Sequence, residues 1–248
     1  MNRRNLFRLG AVVLIVFLLD LSDIVELHSR LDEFEINYGG DFSSIFSILL
    51  LGFNRVDLGL DAVDISQLTF LAAAPLFFGQ NISADLSISG TYLFTRQNSR
   101  ISWYVKRCLS LLWYSLLISI FTCGLGTLLT LYFDVSNVPL GRIALVTASI
   151  TLCTFVLIML SNIVGIFVGS TVALAVAVFF AALNILMIAS PARVMSIVYN
   201  SAFLPEESTV QMLGKLSVNG AYALVLFTVG LVVIKRKELG LVNAEHIF

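Results

Sequence analysis

Residues 143–192 read IALVTASITLCTFVLIMLSNIVGIFVGSTVALAVAVFFAALNILMIASPA, fifty consecutive positions without a charged side chain. As one helix they would extend about 75 Å at 1.5 Å per residue. The hydrocarbon core of a bilayer is about 30 Å thick, and about twenty apolar residues cross it. One span cannot use this length; two spans joined by a tight turn can. The turn is predicted within 161–170, where SNIVGIFVGS gathers serine, asparagine and glycine. Spans four and five then cover roughly 143–161 and 171–190.

The same composition holds along the chain. Of 248 residues, 58% are hydrophobic and 12% charged, and the mean hydropathy is +0.94. A soluble domain is usually about 25% charged, so this chain has too few ionic groups to cover a globular surface. Its main solvent is lipid. The net charge of −1 gives no field for nucleic acid. Cys108, Cys123 and Cys153 lie in or beside apolar runs, an odd count that argues against a disulfide framework.

Toward the N-terminus, span one covers roughly 6–21, preceded by Arg3 and Arg4. A signal peptide has a similar basic and apolar start, but LLDLSDIVELHSRLDE follows here without a small-residue cleavage site, so an uncleaved helix is predicted. An acidic external segment, 22–64, comes next. Within it, 42–53 (FSSIFSILLLGF) is apolar but too short to span, and reads as an interfacial or re-entrant helix. Span two covers roughly 65–88 and passes through Pro75; span three covers roughly 108–133. Toward the C-terminus, a second polar stretch at 191–217 precedes span six, roughly 218–234, which Lys235, Arg236 and Lys237 close.

Charge sets the direction. The N-terminus, the junction after span two and the C-terminus together hold Arg3, Arg4, Arg8, Arg96, Arg100, Lys106, Arg107, Lys235, Arg236 and Lys237. The opposite side holds Arg30, Arg55, Arg142, Arg193 and Lys215. Basic residues favour the cytoplasmic side. The prediction is an all-α polytopic membrane protein with six transmembrane helices, both termini cytoplasmic, and a short external interfacial or re-entrant helix.

Catalytic chemistry finds little support. His28 and His246 lie outside the spans and far apart, which excludes a histidine metal site in the membrane. Glu206 and Glu207 resemble the Glu-Glu pair of some intramembrane proteases, but the accompanying arginine and histidines are missing; a solvated loop pair is the simpler reading. No phosphate-binding loop and no nucleophile elbow occurs. No cofactor or metal is expected, and any ATP must be bound by another polypeptide. Polar groups at depth are mild: Thr122, Thr127, Thr147, Thr151, Thr154 and Asn184. An amide in lipid seeks a partner, so Asn184 predicts an interhelical hydrogen bond, or alternatively a substrate contact. Ser161, Gly165, Gly169, Ala173, Ala177 and Ala181 recur every four residues, a packing stripe that lets helices approach closely.

The junction 89–107 carries Tyr92, Phe94, Thr95, Arg96, Gln97, Asn98, Ser99, Arg100, Trp103, Tyr104, Lys106 and Arg107. Arg96, Arg100, Trp103 and Arg107 are spaced to share one helix face. An ordinary positive-inside anchor reads this way; so does a cytoplasmic helix that docks a partner and moves spans two and three.

In layout, and in Tyr92-Leu93-Phe94-Thr95-Arg96 followed by Ser99-Arg100 and Trp103-Tyr104, the chain resembles exporter-type ABC transporter permeases. The resemblance is to the small permeases of Gram-positive bacteria linked to antimicrobial-peptide export or immunity. It implies a bacterial plasma-membrane permease that pairs with an identical or homologous permease and is driven by two ATPase subunits. The segment 89–107 would be the coupling helix, with Arg96, Ser99, Arg100, Trp103, Tyr104 and Arg107 toward the ATPase. The substrate would be hydrophobic or peptide-like. The alternative is a non-transport assembly or sensor subunit that binds a partner through its acidic external segment.

Overall fold

The computed structural model describes residues 3–29, 65–86, 100–132, 139–201 and 207–236, and these are nearly all helical. The acidic segment beyond residue 29, the apolar stretch 42–53 and the junction residues 89–99 lie outside the described residues. In chain order the long helices are α1 (Arg3–Ser29), α2 (Ile65–Phe78), α3 (Arg100–Tyr132), α4 (Leu140–Val168), α5 (Ser170–Leu186) and α6 (Thr209–Arg236). Three of them contain stretches long and apolar enough to cross a membrane: Arg100–Leu131, Leu140–Val168 and Thr209–Arg236. Asn5–Leu19 and Ser170–Leu186 are shorter apolar helices.

Helix α4 is the centre. It packs against α2, α3, α5 and α6, and fourteen of its residues are buried. Its sequence is apolar on every face, the pattern of a helix surrounded by neighbours. The chain turns between α4 and α5 at a single residue, Gly169, with φ 88° and ψ 169°. That conformation is essentially restricted to glycine. The turn falls inside the predicted window, but α4 runs to Val168 rather than 161: Gly165 stays helical where it packs against Ser83 and Ala173, and Gly169 makes the reversal.

Small residues set the spacing of α5. Ala173, Ala177 and Ala181 are 0–1% exposed, and α5 lies against α2 and α4. A Cβ on Gly165 would meet Ala173 Cβ at 3.5 Å and Ser83 Oγ at 3.1 Å, so these backbones approach closely. Gly169 has open space around it, and its role in the series is the turn.

The second apolar segment is not one continuous helix. α2 ends at Phe78 and a short helix resumes over 81–86. Pro75 inside α2 has no N–H to donate, and Gly79 lies so close to Ser161 that a Cβ would collide with its side chain. The freed backbone groups are taken over by Asn162 of α4. Its Oδ1 accepts from Ile82 N at 2.7 Å, and its Nδ2 donates to Phe78 O at 3.0 Å and Ile158 O at 2.9 Å.

Several hydroxyls of α3 and α4 are satisfied within their own helices. Ser115, Ser119, Thr122, Thr127 and Thr130 of α3 each donate to a carbonyl four residues back, as do Thr147 and Thr151 of α4. This back-bonding removes the cost of a bare hydroxyl in an apolar setting.

Candidate functional site

Besides the Asn162 contacts at the break in the second segment, polar groups of the described residues converge at three further places, and one of these involves irregular backbone deep in the bundle. After α5 the chain winds through short 3₁₀ turns, Met187–Ala189, Pro191–Met195 and Tyr199–Ser201. Ser190 starts the second of these by accepting from Ala192 N at 3.2 Å, with Pro191 at the first position. The sequence reads 191–217 as an external polar stretch. In the structure part of this stretch is packed inside the bundle and part is helix. Ser196, Ile197 and Val198 are fully buried, and Asn200 and Ser201 nearly so, while α6 begins already at Thr209.

The inward segment is held by side chains from three helices. Asn184 of α5 accepts from Ile197 N at 2.9 Å and donates to Phe180 O at 2.8 Å. Its own carbonyl accepts from Ser196 Oγ at 2.7 Å. Ser149 of α4 donates to Asn200 O at 2.7 Å. Asn219 of α6, 0% exposed, lies with Nδ2 at 3.0 Å from Ser201 Oγ, 3.2 Å from Ile197 O, 3.3 Å from Ser149 Oγ and 3.5 Å from Ser149 O. Ser149 and Asn219 lie about 15 Å along their helices from Leu140 and Thr209. Non-helical backbone at such depth is tolerated where protein satisfies it or where it lines a cavity.

At the N-terminal ends of α4 and α6 a charged cluster covers this hub. Lys215 pairs with Glu207, and the two side chains are only 10% and 12% exposed. Lys215 Nζ lies 4.1 Å from the centre of the Tyr199 ring, and the Arg193 guanidinium lies 5.5 Å from it. Arg142 donates to Glu207 O at 3.1 Å. Glu207 is therefore a buried ion-pair partner rather than half of a solvated pair: the carboxylate offsets the burial of Lys215, and the ring face adds to it.

The third cluster is at the start of α3, which takes in residues 100–107 of the predicted coupling segment. Arg96 and Ser99 lie outside the described residues. Arg100 begins the helix and is half-buried. Trp103 and Tyr104, which the resemblance places toward the ATPase, are 3% and 0% exposed. They point into the bundle because the face of α3 that packs on its neighbours begins here: Tyr104 donates to Phe227 O of α6 at 3.2 Å, with the rings 5.6 Å apart. Arg107 pairs with Asp85, and its guanidinium lies 6.0 Å from the Trp103 ring. Arg8 of α1 donates to Asn81 beside the break in the second segment. Ile101, Ser102 and Lys106 are the exposed positions of this turn.

Asn184 is thus the one predicted site residue in the buried hub. Ser149, Asn162, Ser196, Asn200, Ser201 and Asn219 escape sequence reading. Asn219 carries the best available signal: an amide followed by glycine at the head of an apolar run. The three cysteines are buried and form no disulfide. Among the described residues, no group of His, Cys, Asp and Glu is placed to hold a metal.

Fold and site together describe a helical membrane-type protein, with a broken second segment and a polar segment folded back among its long helices. Residues 52–239 match the model of a family described as a protein of unknown function (DUF2705), and the chain belongs to that family. No curated protein and no solved structure matches it.

Proposed function

We propose that the chain is a six-span permease subunit of an ATP-driven transporter in the bacterial plasma membrane, with both termini cytoplasmic. It pairs with an identical or homologous permease, and separate ATPase subunits supply the energy. The continuity of α3 carries the reading. The helix runs from Arg100 to Tyr132, and Arg107 ties its start to Asp85 at the end of the second segment. A push on the basic junction therefore reaches both segments, and the break at Gly79 gives the second one a place to bend. In this reading Trp103 and Tyr104 anchor the lever to the bundle. The docking contact belongs to Arg96, Ser99 and Arg100 with Lys106 and the rim of Arg107. The interior offers hydroxyls, amides and aromatic rings, which suits export of a hydrophobic or peptide-like substrate.

The test is purification of the chain with the products of its neighbouring genes. An ATPase should co-purify, and Arg100→Glu combined with Lys106→Glu should reduce both that association and ATP turnover at least about tenfold, the effect of reversing charges at a polar contact. Absence of an ATPase, or unchanged turnover in the double variant, overturns the proposal.

A further inference from the structure

The 3₁₀ turn Pro191–Met195 combines exposed apolar side chains with carbonyls that the protein itself satisfies. Apart from Arg193 its side chains are apolar, and all five are exposed. Val194 is 60% and Met195 59% exposed, beside Leu186 at 54%. Three successive carbonyls are nevertheless taken by donors of the chain. Arg193 O accepts from Ser196 N at 2.9 Å, Val194 O from Asn200 Nδ2 at 3.0 Å and Met195 O from Tyr222 OH at 3.1 Å. A turn in water does not need such donors; a turn in lipid does, because lipid tails offer none. The depth of the turn follows from α6. Lys215 and Lys235 stand twenty residues apart, with no charge in 216–234. That separation is about 30 Å of helix, the thickness of the hydrocarbon core, so Lys215 marks one edge of it. Arg193 and Lys215 share the Tyr199 ring, at 5.5 Å and 4.1 Å from its centre. The Arg193 guanidinium therefore lies at the same edge, where phosphates sit and tyrosines are favoured. Glu207 occupies Lys215. Arg193 has the ring face and, among the described residues, no ion pair.

We propose that the 191–195 turn binds the headgroup of an anionic phospholipid, with the lipid phosphodiester held by Arg193. A guanidinium presents a planar fork of N–H donors that matches two phosphate oxygens. Val194, Met195 and Leu186 give the adjoining acyl chains an apolar surface at the same level. The carbonyls of the turn are already engaged, so the guanidinium is the group left to seek a partner outside the protein. Charge sets the preference among lipids. A choline headgroup brings its own cation to a place where Arg193 and Lys215 already share one ring, whereas an anionic headgroup brings none. The turn is held by Asn200 of the inward segment and Tyr222 of α6, so bound lipid steadies the packing of both. The inference rests on the apolar setting of the chain and is independent of transport.

The experiment is thermal unfolding of the purified full-length chain in neutral detergent, titrated with dioleoyl-phosphatidylglycerol, dioleoyl-phosphatidylcholine or soluble glycerol phosphate. The expected result is a saturable rise in Tm with phosphatidylglycerol that exceeds the rise with phosphatidylcholine. Basic residues elsewhere on the chain also attract anionic lipid, so the decisive quantity is the difference between the wild type and Arg193→Gln. This variant changes an exposed side chain. It should raise the half-saturating phosphatidylglycerol concentration about fivefold, the worth of one basic side chain at an anionic surface, and leave the phosphatidylcholine response unchanged. Arg193→Lys keeps the charge but loses the fork, and should fall between the two. Glycerol phosphate should give no shift that depends on Arg193. If Arg193 merely supports the Tyr199 ring, Arg193→Gln lowers Tm equally under all conditions and half-saturation by phosphatidylglycerol does not move. That result overturns the proposal, as does an Arg193-dependent shift with glycerol phosphate as large as that with phosphatidylglycerol.

Discussion

The side chain of Asn162 replaces a turn of helix for Ile82: its Oδ1 accepts the Ile82 N–H at 2.7 Å across 80 residues of sequence. Its amide nitrogen serves Phe78 O on the other side of the break. One buried amide in α4 thus completes the backbone bonding of a neighbouring segment. Asn162→Leu keeps most of the volume but leaves both groups unpaired. It should cost about 2–4 kcal/mol, read as a lower midpoint in denaturant titration of the detergent-solubilised chain. Asn162→Gln, able to make the same bonds from a longer stem, should cost less.

A second contact predicts non-additivity. Tyr104 donates to Phe227 O of α6, and Gly230 gives its ring room, since a Cβ there would overlap the phenol. Tyr104→Phe should cost about 1 kcal/mol, one net hydrogen bond. Gly230→Ala alone should cost about 1–3 kcal/mol through overpacking. Combined with Tyr104→Ala, the alanine at 230 should cost almost nothing further, and a double-mutant cycle on unfolding midpoints measures the coupling.

The Arg107–Asp85 pair is a weaker link. Its side chains are 40% and 34% exposed, so water screens the attraction and the pair should contribute no more than about 1 kcal/mol. Arg107→Glu should lower stability by about that amount, and Asp85→Arg in the same chain should restore it. Equal midpoints for the single and the reversed double variant would remove the pair from the account of how the junction is tied to the second segment.

Cys108, Cys123 and Cys153 are 2–3% exposed and none forms a disulfide. Buried thiols are poorly reactive because the thiolate is disfavoured and the reagent lacks access. Maleimide labelling followed by mass spectrometry should find all three slow in the native detergent-solubilised chain and all three rapid after denaturation. Reduction should change neither pattern.

Legibility in the sequence followed the range of the interactions involved. The helical character of the chain, the turn beside Gly169 and the basic start of α3 depend on neighbouring residues, so local reading found them. The break after Phe78 was only half legible. Pro75 is visible, but the partner that makes an interruption affordable is Asn162, more than eighty residues away. The resemblance placed Trp103 and Tyr104 toward a partner, but both are buried within the chain; spacing along a helix specifies which residues share a face and says nothing about what that face meets.

The uncharged run from 143 to 192 determined by itself that two helices and one tight turn must follow each other, because helix rise and membrane thickness leave no other use for that length. Sequence likewise determined that the chain's main solvent is apolar. Only the tertiary structure decided that Ser196, Asn200 and Ser201 turn inward. Serine and asparagine are equally satisfied by water outside or by matching groups inside, and which occurs depends on Ser149 and Asn219, brought together from seventy residues apart.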